Sequence, residues 1–254
     1  MSRIVSIVNQ KGGTGKTTTA VNLSTALAKL GKKVLIVDFD PQGNATSGIG
    51  VKLGTQDHGV YEVLCNQKKP EEVIKKTYVE NLNVLPATES LAGANIEFVN
   101  MNEREFLLEK KLNLIKDKYD YIFIDCPPSL GIITINGIVA SRDVLVPVQC
   151  EYYSLEGLGQ LLNTINMIWK NIQPDLHVLG VVLTMHHPRI RLVKEVVTEV
   201  RKNFPYRVFN TVIPRNIRLA EAPSFGKSII DYSQKSSGAQ AYMNLAKEIA
   251  SFEQ

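Results

Sequence analysis

Apolar runs of strand length alternate along the chain with segments of helical period. The strand candidates are Arg3–Val8, Val34–Asp38, Leu82–Leu85, Tyr121–Asp125, Val144–Val148 and Val178–Thr184. The helix candidates are Lys16–Leu30, Glu103–Lys118, Ser154–Trp169, Leu192–Phe204 and Ser237–Phe252. Because the strand candidates are almost continuously apolar, we expect a sheet that is covered on both faces and is therefore mostly parallel. The alternation predicts an α/β fold, a doubly wound sheet with helices on both faces.

The chain as a whole shows no repeat, no low-complexity tract and no linker, so we expect one domain over residues 1–254. Its three cysteines, Cys65, Cys126 and Cys150, include no CxxC pair. They predict neither a disulfide framework nor a zinc site, and they indicate a reducing compartment. The first eight residues do not resemble a signal peptide, and no apolar run approaches the ~18 residues of a membrane span. We therefore expect a cytoplasmic protein.

A glycine-rich segment, Asn9–Thr18, lies between the first strand candidate and the first helix candidate. Glycines allow backbone N–H groups to converge on phosphate oxygens, and the start of a helix adds its dipole. The segment predicts a P-loop in which Lys16 reaches the β- and γ-phosphates and Thr17 offers its hydroxyl to Mg²⁺. The predicted phosphate-binding residues are Lys11, Gly12, Gly13, Thr14, Gly15, Lys16, Thr17 and Thr18.

Carboxylates stand at the ends of two further strand candidates, where ligands bind in doubly wound sheets. Asp125 ends its strand in the Walker B position and is expected to hold Mg²⁺ through a water; capping of the next turn is the alternative. Asp38 and Asp40 point the same way if the segment is extended. One of them would lie near the metal and the other would orient the attacking water. A turn that Asp40 initiates before Pro41 is the alternative for that residue.

The loop departs from the generic pattern in that Gln10 stands where glycine is usual and Lys11 precedes the glycine pair. In this it resembles the deviant Walker A motif, KGGxGK[ST], of ParA/MinD ATPases; Thr14 stands where valine is usual. The segments that resemble the ParA (Soj) chromosome-partitioning branch are Val37–Asn44, Ile124–Ser129, Pro147–Tyr153 and Thr211–Asn216. The resemblance spans essentially the whole chain.

The resemblance implies a slow ATPase with ATP and Mg²⁺ as cofactors. It implies that Asp40 is needed for hydrolysis together with Lys11 and Lys16. Lys11 would cross a twofold interface to the nucleotide of a second copy, which gives an ATP-dependent homodimer. The implied metal-site residues are Thr17, Asp38 and Asp125, and those implied for adenine are Met185, Pro214 and Asn216. Simple packing is the alternative for the adenine set.

Positive charge is concentrated in the last third of the chain. Residues 181–254 hold 11 Lys and Arg against six Asp and Glu, whereas the whole chain has a net charge of +4. This indicates an anionic partner such as nucleic acid, or else a solvated face. The resemblance implies that the ATP-bound dimer binds double-stranded DNA without sequence preference through Arg189 and Arg218. A ParB-type centromere-binding partner would stimulate hydrolysis, and release from the nucleoid would move chromosomes or plasmids.

Three alternatives compete with this partition switch. A MinD-like membrane-associated ATPase would regulate the placement of cell division, but residues 245–254 carry one lysine and end acidic, so we expect no membrane binding. A relative of the nitrogenase iron protein needs interface cysteines that none of the three positions matches. A P-loop ligase or kinase acting on a small molecule stays open, because the fold alone does not exclude it.

Overall fold

The computed structural model describes residues 2–151 and 154–253, so Tyr152 and Tyr153, which close the segment Pro147–Tyr153, lie outside the described residues. The strands are β1 (Arg3–Ile7), β2 (Val34–Asp38), β3 (Lys75–Lys76), β4 (Leu82–Leu85), β5 (Tyr121–Asp125), β6 (Asp143–Gln149), β7 (His177–His186) and β8 (Val208–Pro214). The α-helices are α1 (Lys16–Lys29), α2 (Asn44–Gly48), α3 (Val60–Leu64), α4 (Pro70–Val73), α5 (Ala94–Glu97), α6 (Leu107–Leu112), α7 (Ile132–Ala140), α8 (Ser154–Asn171), α9 (Arg191–Asn203), α10 (Ile217–Glu221), α11 (Ile229–Tyr232) and α12 (Ser237–Ala250). Short 3₁₀ turns cover Glu89–Gly93, Phe98–Asn100, Arg104–Phe106, Lys116–Lys118, Ala222–Phe225 and Ser251–Glu253.

The eight strands form one sheet in the order β3-β4-β2-β5-β1-β6-β7-β8. Every neighbouring pair is parallel except β3 with β4. Strand β1 lies between β5 and β6, with β2 on the β5 side and with β7 and β8 on the β6 side, which places the turn after β1 at a switch point of the sheet. The predicted α/β, doubly wound, mostly parallel fold is confirmed.

Helices cover both faces of the sheet, and the alternation of side chains along each strand explains how. In β2, Val34 and Ile36 pack into the apolar cluster beneath α1 and α12. Leu35 and Val37 pack into the opposite cluster, beneath helices that include α7 and α8. All five β2 residues are buried, as expected for a strand between two helical layers. Among residues 2–151 and 154–253, no helix has the length and apolar character needed to cross a membrane.

Helix α7 approaches the sheet closely at a glycine. A Cβ atom added at Gly137 would lie 2.6 Å from the sulfur of Cys126, which follows β5. Real contacts of this kind are essentially absent from proteins, so any larger residue would push α7 away from the strand. Gly137 therefore sets the spacing between α7 and the end of β5, where Asp125 lies.

The predicted helix Glu103–Lys118 is wrong as a single element, because it is broken into a 3₁₀ turn, α6 and a second 3₁₀ turn. Asn136 of α7 supplies the physical reason at the first break. Its Oδ1 atom accepts from the amide of Leu108 at 3.2 Å, and its Nδ2 atom donates to the carbonyl of Arg104 at 2.6 Å. A buried side chain from another helix thus replaces the hydrogen bonds that would continue this one.

The sequence patterns predicted neither helix α7 nor strand β8, and they also did not predict strand β3 or the short helices α2, α3, α4, α5, α10 and α11. Helix α7 lies in an uncharged stretch rich in β-branched residues, which gives little helical periodicity. Strand β8 is an edge strand with only two fully buried residues, so it lacks the continuous apolar run of the inner strands. The other predicted strands and helices are present, with ends that differ by one or two residues.

Candidate functional site

The carboxyl ends of three central strands bring the predicted site together. Strand β5 lies between β1 and β2, and its last residue, Asp125, is in register with Ile7 on one side and with Asp38 on the other. The segment Asn9–Thr18 leaves the sheet directly after β1. The phosphate loop, Asp38 and Asp125 therefore meet at one edge of the sheet, as the sequence predicts.

The phosphate loop has the backbone conformation that its glycines allow. Gly13 and Gly15 take φ angles of 73° and 90°, in the left-handed region that other residues rarely adopt. Helix α1 begins at Lys16, and no side chain caps its N-terminus. Its first amide groups are thus available to an anion, whose negative charge the helix dipole stabilises.

The two loop lysines have different environments. Lys16 is buried, and its ammonium group donates to the carbonyl of Lys11 at 3.2 Å. Burial lowers the pKa of Lys16, and the nearby carboxylates of Asp125 and Asp40 oppose that shift. The ammonium group of Lys11 lies outside the loop, 2.8 Å from the carboxylate of Glu151, and both side chains are exposed. Only Lys16 therefore points into the phosphate site of its own chain.

Asp125 is the least satisfied polar side chain of the site. Both carboxylate oxygens are buried, and neither makes a hydrogen bond of normal geometry. Burial raises the pKa of Asp125 well above its ordinary value, and the negative charge of Asp38 adds to that rise. The nearby hydroxyl of Thr17 opposes it. Buried carboxylate oxygens beside a hydroxyl are the ligand type that Mg²⁺ takes, directly or through water. The residues present therefore fit the predicted magnesium ion.

Asp38 and Asp40 differ in burial and in partners. The amide and the hydroxyl of Thr46 both donate to Oδ2 of Asp38 at 2.7 Å. Burial raises the pKa of Asp38 to about 6, and the bonds from Thr46 oppose that rise. Asp40 lies beyond the end of β2 and accepts from the amide of Gln42 at 3.0 Å. Asp38 is thus fixed beside Asp125, whereas Asp40 also keeps the turn role proposed as its alternative.

Three side chains that the sequence analysis did not single out hold the loop in place. Asn9 accepts from the amide of Lys11 at 3.0 Å and donates to the carbonyl of Pro147 at 2.7 Å. Gln149 and Thr184 donate to loop carbonyls from the ends of β6 and β7. Asn9 and Gln149 lie within segments quoted for the family resemblance, but a polar residue at a strand end carries no signal of its own for this role.

The predicted adenine residues surround a cavity of about 380 Å³ beside the phosphate loop. Met185, Pro214 and Asn216 line it together with Gly15 and Thr18. The Asn216 side chain also caps α10: its Oδ1 atom accepts from an amide of that helix at 2.8 Å and its Nδ2 atom contacts a hydroxyl of α12 at 2.9 Å. The cavity therefore extends from the phosphate site, as a nucleotide base would require.

The two predicted DNA-binding arginines lie at the same edge of the sheet. Arg189 is exposed in the turn between β7 and α9, and Arg218 is exposed on α10, after β8. The turns are neighbours, because the amide of Arg215 donates to the carbonyl of His186 at 3.0 Å. The guanidinium group of Arg218 also pairs with Glu221 at 2.8 Å. Both arginines are therefore accessible from outside.

Fold and site together define a P-loop nucleotide-binding protein, and comparison with known proteins narrows the class. The AAA domain family model matches residues 2–178. The sporulation initiation inhibitor protein Soj of Bacillus subtilis (strain 168) is 54% identical over 250 residues, 98% of this chain and 99% of that protein. The chromosome partitioning protein ParA of Myxococcus xanthus (strain DK1622) is 48% identical over 249 residues, 98% of this chain and 88% of that protein.

A solved structure is also similar: cobyrinic acid a,c-diamide synthase from Mycobacterium smegmatis with a bound ATP analogue and magnesium. It superposes with a TM-score of 0.86 at 35% identity, over 97% of this chain and 93% of that one. The chain belongs to the AAA domain family and, within it, to the Soj and ParA chromosome-partitioning ATPases. The predicted resemblance to the Soj and ParA branch is therefore confirmed. The synthase is named as an enzyme that acts on a small molecule, the class of the metabolic alternative, and its sequence identity to this chain, 35%, is lower than the 54% identity of Soj.

Proposed function

We propose that this ATPase is a DNA-partition switch: ATP binding drives a sandwich dimer that binds double-stranded DNA without sequence preference, and Mg²⁺-dependent hydrolysis releases it. The observation that carries the proposal is the separation of the two loop lysines. Lys16 is buried in its own phosphate site, whereas Lys11 is exposed and pairs with Glu151. A second cation outside the site is suited to the nucleotide of another copy.

ATP with Mg²⁺ is the nucleotide that the site is proposed to bind. The loop amides from Lys11 to Thr18 and the ammonium group of Lys16 would hold the phosphates, and the cavity lined by Met185, Pro214 and Asn216 would hold the base. Thr17, Asp38 and Asp125 would hold the metal. Bound magnesium supplies charge neutralisation at the phosphate oxygens.

Hydrolysis requires a water in line with the bond between the γ-phosphorus and the β–γ bridging oxygen. Asp40 is proposed to orient that water by accepting its hydrogen bond. Its carboxylate follows β2 at the edge where the loop and Asp125 meet, and its charge acts on Lys16, where it opposes the lowering of the pKa that burial causes. Loss of the γ-phosphate would remove the contacts that join two copies, so hydrolysis would loosen the dimer.

Lys11 is proposed to complete the nucleotide site of a second copy. Replacement Lys11→Ala is expected to leave measurable ATP binding but to abolish ATP-dependent dimerisation in gel filtration. Unchanged dimerisation would overturn this role. Because the interface is isologous, each chain would supply its Lys11 to the other.

Arg189 and Arg218 are proposed to contact DNA phosphates, and two copies would double those contacts. The test is binding to a long duplex of arbitrary sequence with ATP, ADP or no nucleotide, over a salt series. We expect binding with ATP alone and a steep negative dependence on salt. Arg189→Glu and Arg218→Glu should lose DNA while retaining hydrolysis. Arg142→Glu is the matched control, because this exposed arginine precedes β6 at the opposite edge of the sheet.

Indifference to DNA in every nucleotide state would overturn the DNA role and leave only the ATPase. Binding to vesicles, or phosphorylation of small acceptor molecules, measured in parallel, would then identify the alternative function.

A ParB-type centromere-binding protein is the proposed activator of hydrolysis, and the nucleoid in the cytoplasm is the proposed location. We also propose that residues 1–254 act as one domain, since a single sheet carries strands from both ends of the described chain.

A further inference from the structure

Two carbonyl groups of the phosphate loop are held by buried side chains of neighbouring strands. Nε2 of Gln149, the last residue of β6, donates to the carbonyl of Gly13 at 2.6 Å. The hydroxyl of Thr184, in β7, donates to the carbonyl of Thr14 at 2.8 Å. Both side chains are more than nine-tenths buried. The loop is therefore fastened to the sheet from outside the phosphate site.

These bonds determine where the next amide groups point. A trans peptide unit is planar, and its C=O and N–H bonds point in opposite directions. Holding the carbonyl of Gly13 toward β6 directs the N–H of Thr14 away from it, and holding the carbonyl of Thr14 toward β7 does the same for Gly15. The two tethers thus orient amide donors toward the side on which phosphates are expected.

Gln149 makes a second contact that Thr184 does not. The same Nε2 atom lies 3.2 Å from the sulfur of Met185, which lines the cavity assigned to the base. Met185 has a φ angle of 51°, in the left-handed region where a non-glycine side chain is strained. Its backbone is thus held in an unfavourable conformation while its sulfur accepts from the amide that holds the loop.

We propose that Gln149 is a positioning residue that couples the base cavity to the phosphate loop through its single amide group. The loop amides are then best oriented when Met185 is in place, so the base contributes to affinity partly through Gln149. Thr184 tethers the loop through its hydroxyl without this link. The inference rests on the proposed function in that it takes ATP as the ligand.

The first experiment compares Mg²⁺-dependent binding of ATP and of inorganic tripolyphosphate, which lacks the base. In Gln149→Met, which removes the donor at similar length, we expect tripolyphosphate affinity to fall about tenfold through loss of a buried hydrogen bond. ATP affinity should fall by this factor and by about threefold more, because the weak contact from Gln149 to the sulfur of Met185 is lost as well. Thr184→Val should weaken both ligands by the same factor, and Thr184→Ser should restore both.

The second experiment changes Met185, whose side chain is partly exposed, because a substitution there is less disruptive to folding than one at the buried Gln149. In the nucleotide-free chain, Met185→Leu removes the sulfur acceptor and should accelerate hydrogen exchange at the amide of Thr14, which Gln149 orients, whereas the amide of Gly15, which Thr184 orients, should exchange as in the wild type. An equal loss of ATP and tripolyphosphate in Gln149→Met, or unchanged exchange at Thr14 in Met185→Leu, would overturn the coupling. Failure of the wild-type chain to bind ATP would instead overturn the proposed function.

Discussion

The ammonium group of Lys11 lies 2.8 Å from the carboxylate of Glu151, two residues beyond β6. The lysine that is proposed to serve a second copy is thus engaged within its own chain. Both side chains are exposed, and exposed ion pairs contribute only ~0–1 kcal/mol. The contact is therefore weak enough to be exchanged when a nucleotide phosphate from a partner becomes available.

Removal of this contact should favour dimerisation. Because a dimer must break two such pairs, Glu151→Gln is expected to lower the dimer dissociation constant with ATP by about fivefold, taking ~0.5 kcal/mol for each pair. Sedimentation velocity over a concentration series measures it. Glu195→Gln is the control, since it breaks the exposed pair of Arg191 with Glu195 at the same 2.8 Å separation. A weaker dimer in Glu151→Gln would show that Glu151 itself supports the interface.

Loss of the Asp40 carboxylate should separate binding from hydrolysis. We expect Asp40→Ala to reduce kcat by about 10²- to 10⁴-fold, the usual contribution of a group that positions a reacting water or its proton. ATP affinity should stay within about threefold, because a negative charge near the phosphates is removed rather than added. Phosphate release and equilibrium nucleotide binding measure the two effects. Asp57→Ala, outside the site, should change neither; normal turnover by Asp40→Ala would leave Asp40 with its turn role alone.

The raised pKa of Asp38 should appear as a pH dependence of stability. An acid with a higher pKa in the folded than in the unfolded state binds more protons when folded, so its contribution to the free energy of unfolding falls as pH rises between ~4 and ~6. The pKa of Asp38 is about 6 against an ordinary value of 3.8. Without metal and nucleotide, wild type should therefore lose about 1–3 kcal/mol relative to Asp38→Asn over this range.

Urea unfolding in a chelator at several pH values measures that difference. Asp57→Asn is a suitable control, because a hydrogen bond from Lys75 lowers the pKa of Asp57 and its titration falls below the range. A difference between wild type and Asp38→Asn that stays constant from pH 4 to pH 6 would contradict the prediction.

Gly137 should be intolerant of even one added carbon. The Cβ of Gly137→Ala would lie 2.6 Å from the sulfur of Cys126, and we expect a loss of about 1–3 kcal/mol in the free energy of unfolding from overpacking. Gly157→Ala is the matched control on α8, where an added Cβ meets nothing within 4 Å. That change should stabilise the helix by up to ~1 kcal/mol. Equal effects of the two substitutions in thermal unfolding would refute the packing argument.

The inner strands could be predicted because burial on both faces requires continuous apolar runs, as in Val34–Asp38 and Tyr121–Asp125. The loop and the two strand-end carboxylates followed from motif and position. The break within 103–118 could not be predicted, since it depends on hydrogen bonds from Asn136 in a helix that lies later in the chain. Local periodicity contains no information about such a distant partner.

The two side chains that hold the carbonyl groups of the phosphate loop could not be predicted from sequence either. Gln149 is separated from Gly13 by 136 positions, and Thr184 from Thr14 by 170. Their roles depend on which strand ends become neighbours, and that is a property of the strand order. Sequence could therefore identify the loop that binds phosphate but not the residues that hold its carbonyl groups.

Because Asn9, Gln149 and Thr184 extend from three adjacent strands, the loop can form only when those strands are correctly aligned. A slip of β6 by one residue would turn Gln149 to the opposite face of the sheet. Misaligned chains would then lack a working phosphate site, and nucleotide would stabilise only the correctly paired ones. ATP present during folding would therefore favour chains whose strands are correctly aligned, so ligand binding would also contribute to the accuracy of sheet assembly.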